Sequence, residues 1–268
     1  MYKRQVLKLT DDAKRVFWYT LRENIQVQGL FWDSALCAYL LNPERKELGL
    51  EKLLDEYLGI NLSPEEPKRL YGALSGLEQL CRPMTVEMDD LNMLELYAQI
   101  ELPLSRILAE MELAGVKLDQ DYLKELGAEL GGRLDALTQH IYDLAGCEFN
   151  INSPKQLGVI LFEQLGLPII KKTKTGYSTD AEVLDTLAQE HDVVREILNY
   201  RQLSKLKSTY VDGLLNIMDQ ATHKVHTTFN QTITATGRLS STEPNLQNIP
   251  IKTEEGKRIR KAFLPRCV

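Results

Sequence analysis

The amino-acid sequence predicts an α+β protein that is mainly helical and has a small β part. Apolar residues recur at spacings of three and four over residues 101–115, 119–146 and 192–218, which is the period of an amphipathic helix. After residue 222 the period changes to two, which is typical of a strand. A chain of 268 residues with 43% hydrophobic and 26% charged residues suits one large or two modest globular domains.

The first 98 residues combine short helical stretches with frequent turn signals. These signals are Asn42-Pro43, Gly49, Gly59, Ser63-Pro64 and Glu66-Pro67. The residue pattern of this segment predicts structure and indicates no chemistry of its own.

The helix between residues 101 and 115 is predicted to bury one apolar face. Four residues at i, i+3, i+4 and i+7 define that face: Leu104, Ile107, Leu108 and Met111. Gly115 follows them and is a typical helix end.

The next helix is long and carries a coiled-coil-like seam of leucine and isoleucine. Asp119 or Asp121 is suited to cap its start, and the seam runs to Gly146. Glycines at positions 127, 131 and 132 weaken this helix, so we expect tertiary packing to stabilise it.

Two capping boxes predict further helix starts. Ser153-Pro154-Lys155-Gln156 should begin a helix that ends near Gly166, and Thr179-Asp180-Ala181-Glu182 should begin another. The free N–H groups of the first start point outward beside Lys155, which suits a phosphate as well as self-capping.

The loop before the second box is rich in lysine and hydroxyl groups. Its candidate contacts to backbone phosphates include Lys174, Gly176, Ser178 and Thr179. The nucleotide-binding fingerprints GxxxxGK[ST] and GxGxxG do not occur in the sequence, which argues against a P-loop ATPase or a dinucleotide enzyme.

The helix over residues 192–218 has an apolar and a basic face. Arg201, Lys205 and Ser208 fall at i, i+4 and i+7, and Lys207 lies nearby. The sequence has no acidic residue between Arg201 and Val211, so we expect unpaired cations that meet successive phosphates. The alternative is a solvated helix face.

The period of two after residue 222 predicts a strand in a hairpin. One side of it carries Val225, Thr227, Phe229, Gln231 and Ile233. His223 and His226 have no cysteine or carboxylate cluster beside them, so strand or core roles are favoured over a metal site.

The strand leads into the loop of residues 236–250, which concentrates hydrogen-bond donors. Arg238, Asn245, Gln247 and Asn248 suit the acceptors of a nucleic acid minor groove, where donors test pair geometry and ignore sequence. The alternative is a polar loop whose amides cap its own turns.

Charge is distributed unevenly along the chain. The formal net charge is −6, yet residues 201–268 carry 11 basic and 5 acidic side chains. A basic block of this kind is expected where phosphates dock, although a solvated basic face would have the same composition.

Membrane, zinc and disulfide sites are disfavoured. No apolar run approaches the ~18 residues of a spanning helix, and the start of the chain lacks a signal-peptide pattern. We therefore expect no membrane partner and a cytoplasmic location. The four cysteines are far apart in sequence and form no CxxC pair.

Four ordered motifs resemble family A DNA polymerases, the bacterial DNA polymerase I type. TATGRLSSTEPNLQNIP is similar to the signature that opens the palm of that family. Residues 149–157 resemble the thumb tip, residues 200–210 resemble the thumb-to-palm helix, and residues 255–263 also fit the family. The resemblance covers roughly residues 31–266.

The resemblance implies an architecture. Residues 1–98 would be the C-terminal part of a 3'-5' exonuclease-like domain, residues 99–220 the helical thumb, and residues 221–268 the start of the palm. On this interpretation the chain is an internal fragment of a polymerase that acts in DNA replication and repair.

The resemblance also implies primer–template DNA as the partner of a monomeric chain. The candidate DNA-binding residues are Asn152, Ser153, Lys155, Lys174, Gly176, Ser178, Thr179, Arg201, Lys205, Lys207, Ser208, Arg238, Asn245, Gln247 and Asn248. Arg201 and Lys205 would contact phosphates, and Arg238 would reach the minor groove at the primer terminus.

Nucleotidyl transfer to a deoxynucleoside triphosphate requires carboxylates that hold two Mg²⁺ ions. The acidic residues after position 220 are Glu243, Glu254 and Glu255, and none matches the metal-binding motif of the family. That motif should begin beyond Arg266. We therefore expect a chain that holds no Mg²⁺, has no catalytic residues and is inactive alone.

Asp33 is the residue that resembles a metal-binding aspartate of the exonuclease. Its expected companions are missing, because Tyr71 has no aspartate four residues later, and Asp89 and Asp90 have no tyrosine four residues before. We expect an inactive exonuclease-like segment in which Asp33 is a relic or a helix N-cap.

A second hypothesis is a non-catalytic helical module that binds nucleic acid or has a structural role. The DNA sequence just past the codon for Val268 separates the two hypotheses. An in-frame DYSQIELR-like continuation supports the polymerase, and a stop codon supports the module.

Overall fold

The computed structural model describes residues 6–173 and 176–265, with Thr173 described by its backbone alone. These residues form two compact units, and each unit is assembled from two segments of the chain. Unit 1 contains the residues up to Val116 together with His226–Asn248. Unit 2 contains Lys117–Val225 together with the residues from Ile249 onward.

Helices dominate both units, which confirms the predicted α+β class. The helices are α1 (Ala13–Arg22), α2 (Ser34–Leu41), α3 (Leu50–Leu58), α4 (Lys68–Asp90), α5 (Leu94–Leu96), α6 (Leu102–Ala114), α7 (Gln120–Ala145), α8 (Pro154–Val159), α9 (Ala181–Leu187), α10 (Asp192–Lys205), α11 (Gly213–Ile217) and α12 (Glu254–Lys261). Segments of π-helix occur at Tyr97–Glu101, Ile160–Gln164 and Leu206–Asp212. None of the helices in the described ranges is long and apolar enough to cross a membrane.

The strands are short and pair in small sheets. They are β1 (Lys8–Thr10), β2 (Leu30–Asp33), β3 (Val116–Leu118), β4 (Lys172–Thr173), β5 (Gly176–Tyr177), β6 (Lys224–Val225), β7 (Thr228–Asn230), β8 (Ser240–Thr242) and β9 (Phe263–Leu264). β1 and β2 are parallel, and β3 lies between β6 and β9. The pairs β4–β5 and β7–β8 are antiparallel.

The core of unit 1 surrounds α2. This helix is apolar on nearly every side, and its residues from Leu36 to Leu40 are all buried. Trp32, Leu53 and Met84 pack in the same cluster. A helix that is hydrophobic all round is stable only in such a position.

The buried face of α6 differs from the predicted one. Leu108 is buried, but Ile107 and Met111 are 51% and 48% exposed, so the apolar period does not match the buried face. Ser105 and Glu112 take the inward positions. Both side chains form hydrogen bonds with the hairpin of β7 and β8, and these bonds offset the desolvation of buried polar groups.

The core of unit 2 confirms the long helix that the sequence predicts. Asp119 caps α7 by accepting the N–H of Tyr122 at 3.0 Å, and Gly146 ends it with φ 73°. A Cβ added to Gly127 would lie 3.1 Å from a methyl carbon of Val211. The glycine therefore allows close packing of α7 against the π-helical segment Leu206–Asp212, which is the tertiary support expected.

Both capping boxes form in part. Ser153 accepts the N–H of Gln156, but the side chain of Gln156 accepts from Asn150 and does not return to Ser153. The second helix starts one residue later than predicted, because Asp180 is the cap and accepts the N–H of Val183 at 3.1 Å. Thr179 is therefore not an N-cap.

The predicted strand after residue 222 is interrupted. β6 ends at Val225 in unit 2, and β7 begins at Thr228 in unit 1. The predicted alternation of buried and exposed side chains is confirmed at Thr227 and Gln231, which are buried. It fails at Ile233, which is 63% exposed. His223 has a positive φ of 55°, a left-handed conformation in the turn before β6.

The compact units do not share the boundaries at 98/99 and 220/221 that the family resemblance implies. α6 and the β7–β8 hairpin both pack in unit 1. The units describe packing, so the functional boundaries remain a prediction.

Candidate nucleic-acid interface

The predicted thumb tip in unit 2 presents polar groups around the start of α8. Lys155 and Asn152 are exposed, and the Nδ2 of Asn152 donates to the hydroxyl of Tyr200 at 3.2 Å. The hydroxyl of Ser153 accepts the N–H of Gln156. Asn152 and Lys155 therefore face solvent, while the Ser153 hydroxyl serves the helix start.

Two of the candidate phosphate contacts in the lysine-rich loop are buried. Ser178 and Thr179 are 4% and 7% exposed, so their side chains are turned away from solvent. The Ser178 hydroxyl donates to Asp180 at 2.8 Å, and this bond is the main reason that the pKa of Asp180 lies below its usual value. Lys171 pairs with the same carboxylate at 3.1 Å. Gly176 is exposed, and Lys174 lies outside the described residues.

The cations of α10 and the following π-helical segment are less free than predicted. Arg201 is half-buried and donates to the carbonyl of Thr179 at 2.7 Å, and burial lowers the pKa of its guanidinium. Lys207 forms an ion pair with Asp212 at 2.8 Å. The expectation of three unpaired cations is wrong, because partners come from outside the stretch between Arg201 and Val211. Lys205 and Ser208 are exposed.

α12 adds a basic surface that the site prediction did not include. Arg258 forms two hydrogen bonds with Glu129 on α7, at 2.6 and 2.5 Å, which hold the pKa of Glu129 below its usual value. Arg133 pairs with Glu255 at 3.0 Å. The remaining basic residues of this segment are exposed and include Lys252, Arg260 and Lys261. The excess of basic residues after position 201 was the signal for this surface.

The loop after β7 in unit 1 combines both interpretations of its donors. The Oδ1 of Asn245 accepts the N–H groups of Gln247 and Asn248 at 3.0 and 3.2 Å. The amide of Gln247 donates to the carbonyl of Leu239 at 2.9 Å. The loop therefore caps its own turns, as the alternative predicted.

Arg238 is the exposed cation of this loop. It follows Gly237, which has φ 73°, and its carbonyl accepts the Thr234 hydroxyl. Its guanidinium has no hydrogen-bond or ion-pair partner in the part of the chain that the structure describes. Arg238 is therefore a member of the predicted minor-groove set whose side chain is available to a ligand.

Asp33 is a helix cap and not an accessible metal ligand. Its side chain is 2% exposed in unit 1. Oδ1 accepts the N–H of Leu36 at 3.0 Å, and Oδ2 accepts the N–H of Ala13 at 2.5 Å, so one carboxylate serves the starts of α1 and α2. Burial raises its pKa to about 6. Among the described residues, no group of three or more His, Cys, Asp or Glu side chains is placed to hold a metal ion.

Comparisons with known proteins agree with the fold and with the motifs. The sequence model of DNA polymerase family A matches residues 120–267. DNA polymerase I of Bacillus subtilis (strain 168) is 46% identical over 273 residues, which cover 95% of this chain and 31% of that protein. DNA polymerase I of Geobacillus stearothermophilus is 45% identical over 271 residues, with the same two coverages.

A solved structure is similar over nearly the whole chain. It is the POL domain of Pol1 from M. smegmatis in complex with DNA primer-template and dNTP. The TM-score is 0.87 at 40% identity, and the match covers 97% of this chain and 46% of that one. The fold is thus that of a bacterial polymerase domain over the matched region. The chain belongs to DNA polymerase family A, and it spans about a third of the length of the curated relatives it matches.

Proposed function

We propose that this chain binds primer–template DNA and contributes the DNA-holding part of a family A DNA polymerase. The observation that carries the proposal is the similarity to a POL domain in complex with DNA primer-template and dNTP, at a TM-score of 0.87. Residues 1–98 would be the C-terminal part of an exonuclease-like domain, residues 99–220 the thumb, and residues 221–268 the start of the palm.

Each unit has its own role in binding. In unit 2, the exposed Lys205 and Lys155 neutralise backbone phosphates, and Arg201 supports the same surface from its bond with Thr179. In unit 1, Arg238 reaches the minor groove at the primer terminus, where its donors meet acceptors that every base pair offers.

The reaction of the whole enzyme would be template-directed transfer of a nucleotide from a deoxynucleoside triphosphate, with Mg²⁺ held by carboxylates. The acidic residues of the last segment do not fit that site. Glu254 pairs with Lys257 and Glu255 pairs with Arg133, while Glu243 is exposed. We therefore propose that the chain alone binds DNA and does not extend a primer.

Fluorescence anisotropy of a labelled primer–template duplex at several KCl concentrations tests the binding. Affinity should fall steeply with salt, because each neutralised phosphate releases counterions. Combined Arg201→Ala and Lys205→Ala changes should weaken binding. Arg195→Ala is the matched control, since Arg195 is an exposed arginine of α10 that pairs with Asp192 at 2.7 Å.

Two outcomes would contradict the proposal. If the combined Arg201→Ala and Lys205→Ala changes leave affinity unchanged, the surface that carries these two residues does not bind DNA. Primer extension above background by the purified chain, with Mg²⁺ and deoxynucleoside triphosphates, would show that the chain holds a working metal site.

A further inference from the structure

The β7–β8 hairpin, whose loop contains Arg238, is fixed to two helices through a partly buried ion pair. The N–H of Phe229 in β7 donates to Oε1 of Glu112 on α6 at 2.8 Å. Nζ of Lys14 on α1 lies 2.5 Å from the same oxygen and donates to the Phe229 carbonyl at 2.7 Å. Both main-chain polar groups of Phe229 are therefore bound by one Glu–Lys pair.

A second contact lies at Gln231, the residue that follows β7. Gln231 is 8% exposed, and its Nε2 donates to the carbonyl of Glu101 at 2.7 Å and to the Glu101 side chain at 2.5 Å. Ser105 donates to the Oε1 of Gln231 at 3.1 Å. Polar groups of α6 and of the π-helical segment before it thus hold β7 and the residue after it at two points.

A third contact requires close approach. Nδ1 of His226 lies 2.7 Å from the Glu112 carbonyl. A Cβ at Gly115 would lie 2.6 Å from the His226 ring, and Gly115 has a positive φ of 62°. The chain therefore enters β7 through a gap that glycine keeps open at the end of α6.

Directional contacts matter here because apolar burial does little to hold the end of the hairpin. Ile233 is 63% exposed, and β7 pairs with β8 on one edge. The Glu112–Lys14 pair binds the main chain of β7 at Phe229, and hydrogen bonds weaken steeply when their geometry departs from linear. A strand bound in this way can take only one position along α6.

From these contacts we infer that Glu112 and Gln231 are positioning residues that fix β7, and through it the turn at Gly237 and the reach of Arg238 toward DNA. This inference rests on the proposed function. Neither residue touches DNA, so each acts through the hairpin.

Primer–template affinity of single and double variants tests the inference. Glu112→Ala and Arg238→Ala should each weaken binding about tenfold, the loss expected for one charge-assisted contact. The double variant should bind no more weakly than Arg238→Ala, because both changes remove the same contact. Glu112→Gln should restore most of the affinity, since its amide oxygen still accepts the Phe229 N–H.

A control and a second readout separate positioning from general stability. Glu110→Ala removes an exposed carboxylate of α6 that pairs with Arg106 at 2.9 Å, and it should leave affinity unchanged. Hydrogen exchange of the amides of residues 228–242 should accelerate in Glu112→Ala, while exchange in α7 stays unchanged. Gln231→Leu provides the same readouts at similar volume if Glu112→Ala folds poorly.

The outcomes distinguish failure of the proposed minor-groove role of Arg238 from failure of the positioning role of Glu112 and Gln231. If Arg238→Ala binds as tightly as wild type, the proposed minor-groove role fails, and the inference fails with it. If Arg238→Ala weakens binding but Glu112→Ala and Gln231→Leu do not, the positioning role alone is overturned. Losses that add in the Glu112→Ala, Arg238→Ala double variant overturn it as well.

Discussion

The buried carboxyl of Asp33 predicts that unit 1 loses stability as pH rises through about 6. Desolvation raises the pKa of Asp33 from 3.8 to about 6 in the folded chain, although the N–H groups of Ala13 and Leu36 oppose the shift. The folded unit therefore holds this proton more tightly than the unfolded chain. The resulting stabilisation is fully present below pH 3.8 and is lost as pH rises through the folded pKa.

The size of this loss of stability follows from the pKa shift of Asp33. A difference of about two pKa units corresponds to ~3 kcal/mol of unfolding free energy between low and high pH. Of this, about 2 kcal/mol should be lost between roughly pH 4 and pH 7. The sign is opposite to that of a carboxylate in an ion pair, whose stabilisation is lost as pH falls.

Urea unfolding followed by tryptophan fluorescence measures the effect, because Trp18 and Trp32 both lie in unit 1. Asp33→Asn removes the ionisation and exchanges one acceptor oxygen for an NH₂ group, which adds a loss that does not depend on pH. The difference in unfolding free energy between wild type and Asp33→Asn should therefore shrink by about 2 kcal/mol over that pH range.

Asp11→Asn is the matched control, since Asp11 is an exposed carboxyl close to the start of α1. The effect specific to Asp33 is what remains after the Asp11→Asn difference is subtracted. A wild-type to Asp33→Asn difference that is flat between pH 4 and pH 7 would refute the reasoning, because it would mean that Asp33 has the same pKa in both states.

Three further predictions concern unit 2. Gly132→Ala should raise its unfolding free energy by about 1 kcal/mol, because nothing lies within 4 Å of the new Cβ in the middle of α7. Gly127→Ala should give a smaller gain or a loss, since its Cβ would lie 3.1 Å from a valine methyl carbon; equal gains by circular dichroism would contradict the packing. Lys205→Ala should make the negative slope of log affinity against log salt shallower by about 1. Lys207→Ala should have a smaller effect on that slope. Asp212→Asn should tighten DNA binding by releasing Lys207, and weaker binding of that variant would count against the ion pair as a restraint.

Local patterns predicted the elements whose signals lie within one stretch of sequence. The spacing of leucines together with Asp119 and Gly146 defined α7 nearly to the residue, since caps and period act over a few residues. The same reasoning failed for the buried face of α6. Hydropathy favours Ile107 and Met111 over Glu112, but Glu112 is buried because Lys14 and Phe229 satisfy it from distant segments.

The candidate site shows the same division between local and distant signals. The sequence indicated Arg238 and Lys205 as cations, and the structure leaves both exposed. It could not indicate that Arg201 binds the Thr179 carbonyl, because a backbone acceptor has no signature in the sequence. For Asn245 the two interpretations offered by the sequence were a capping role and a ligand role, and its Oδ1 is used for capping.

The division of unit 1 between two distant segments has a consequence for synthesis on the ribosome. Glu112 and Phe229 are separated by 117 positions, so α6 leaves the ribosome long before its partner strand exists. At a synthesis rate of about 5–20 residues per second, the wait is on the order of ten seconds. During that interval Glu112 has Lys14 but no strand to bind, and all of unit 2 up to Val225 is made in between. Glu112 therefore waits for its partner strand in each new molecule, and unit 1 is completed only after most of unit 2 has been synthesised.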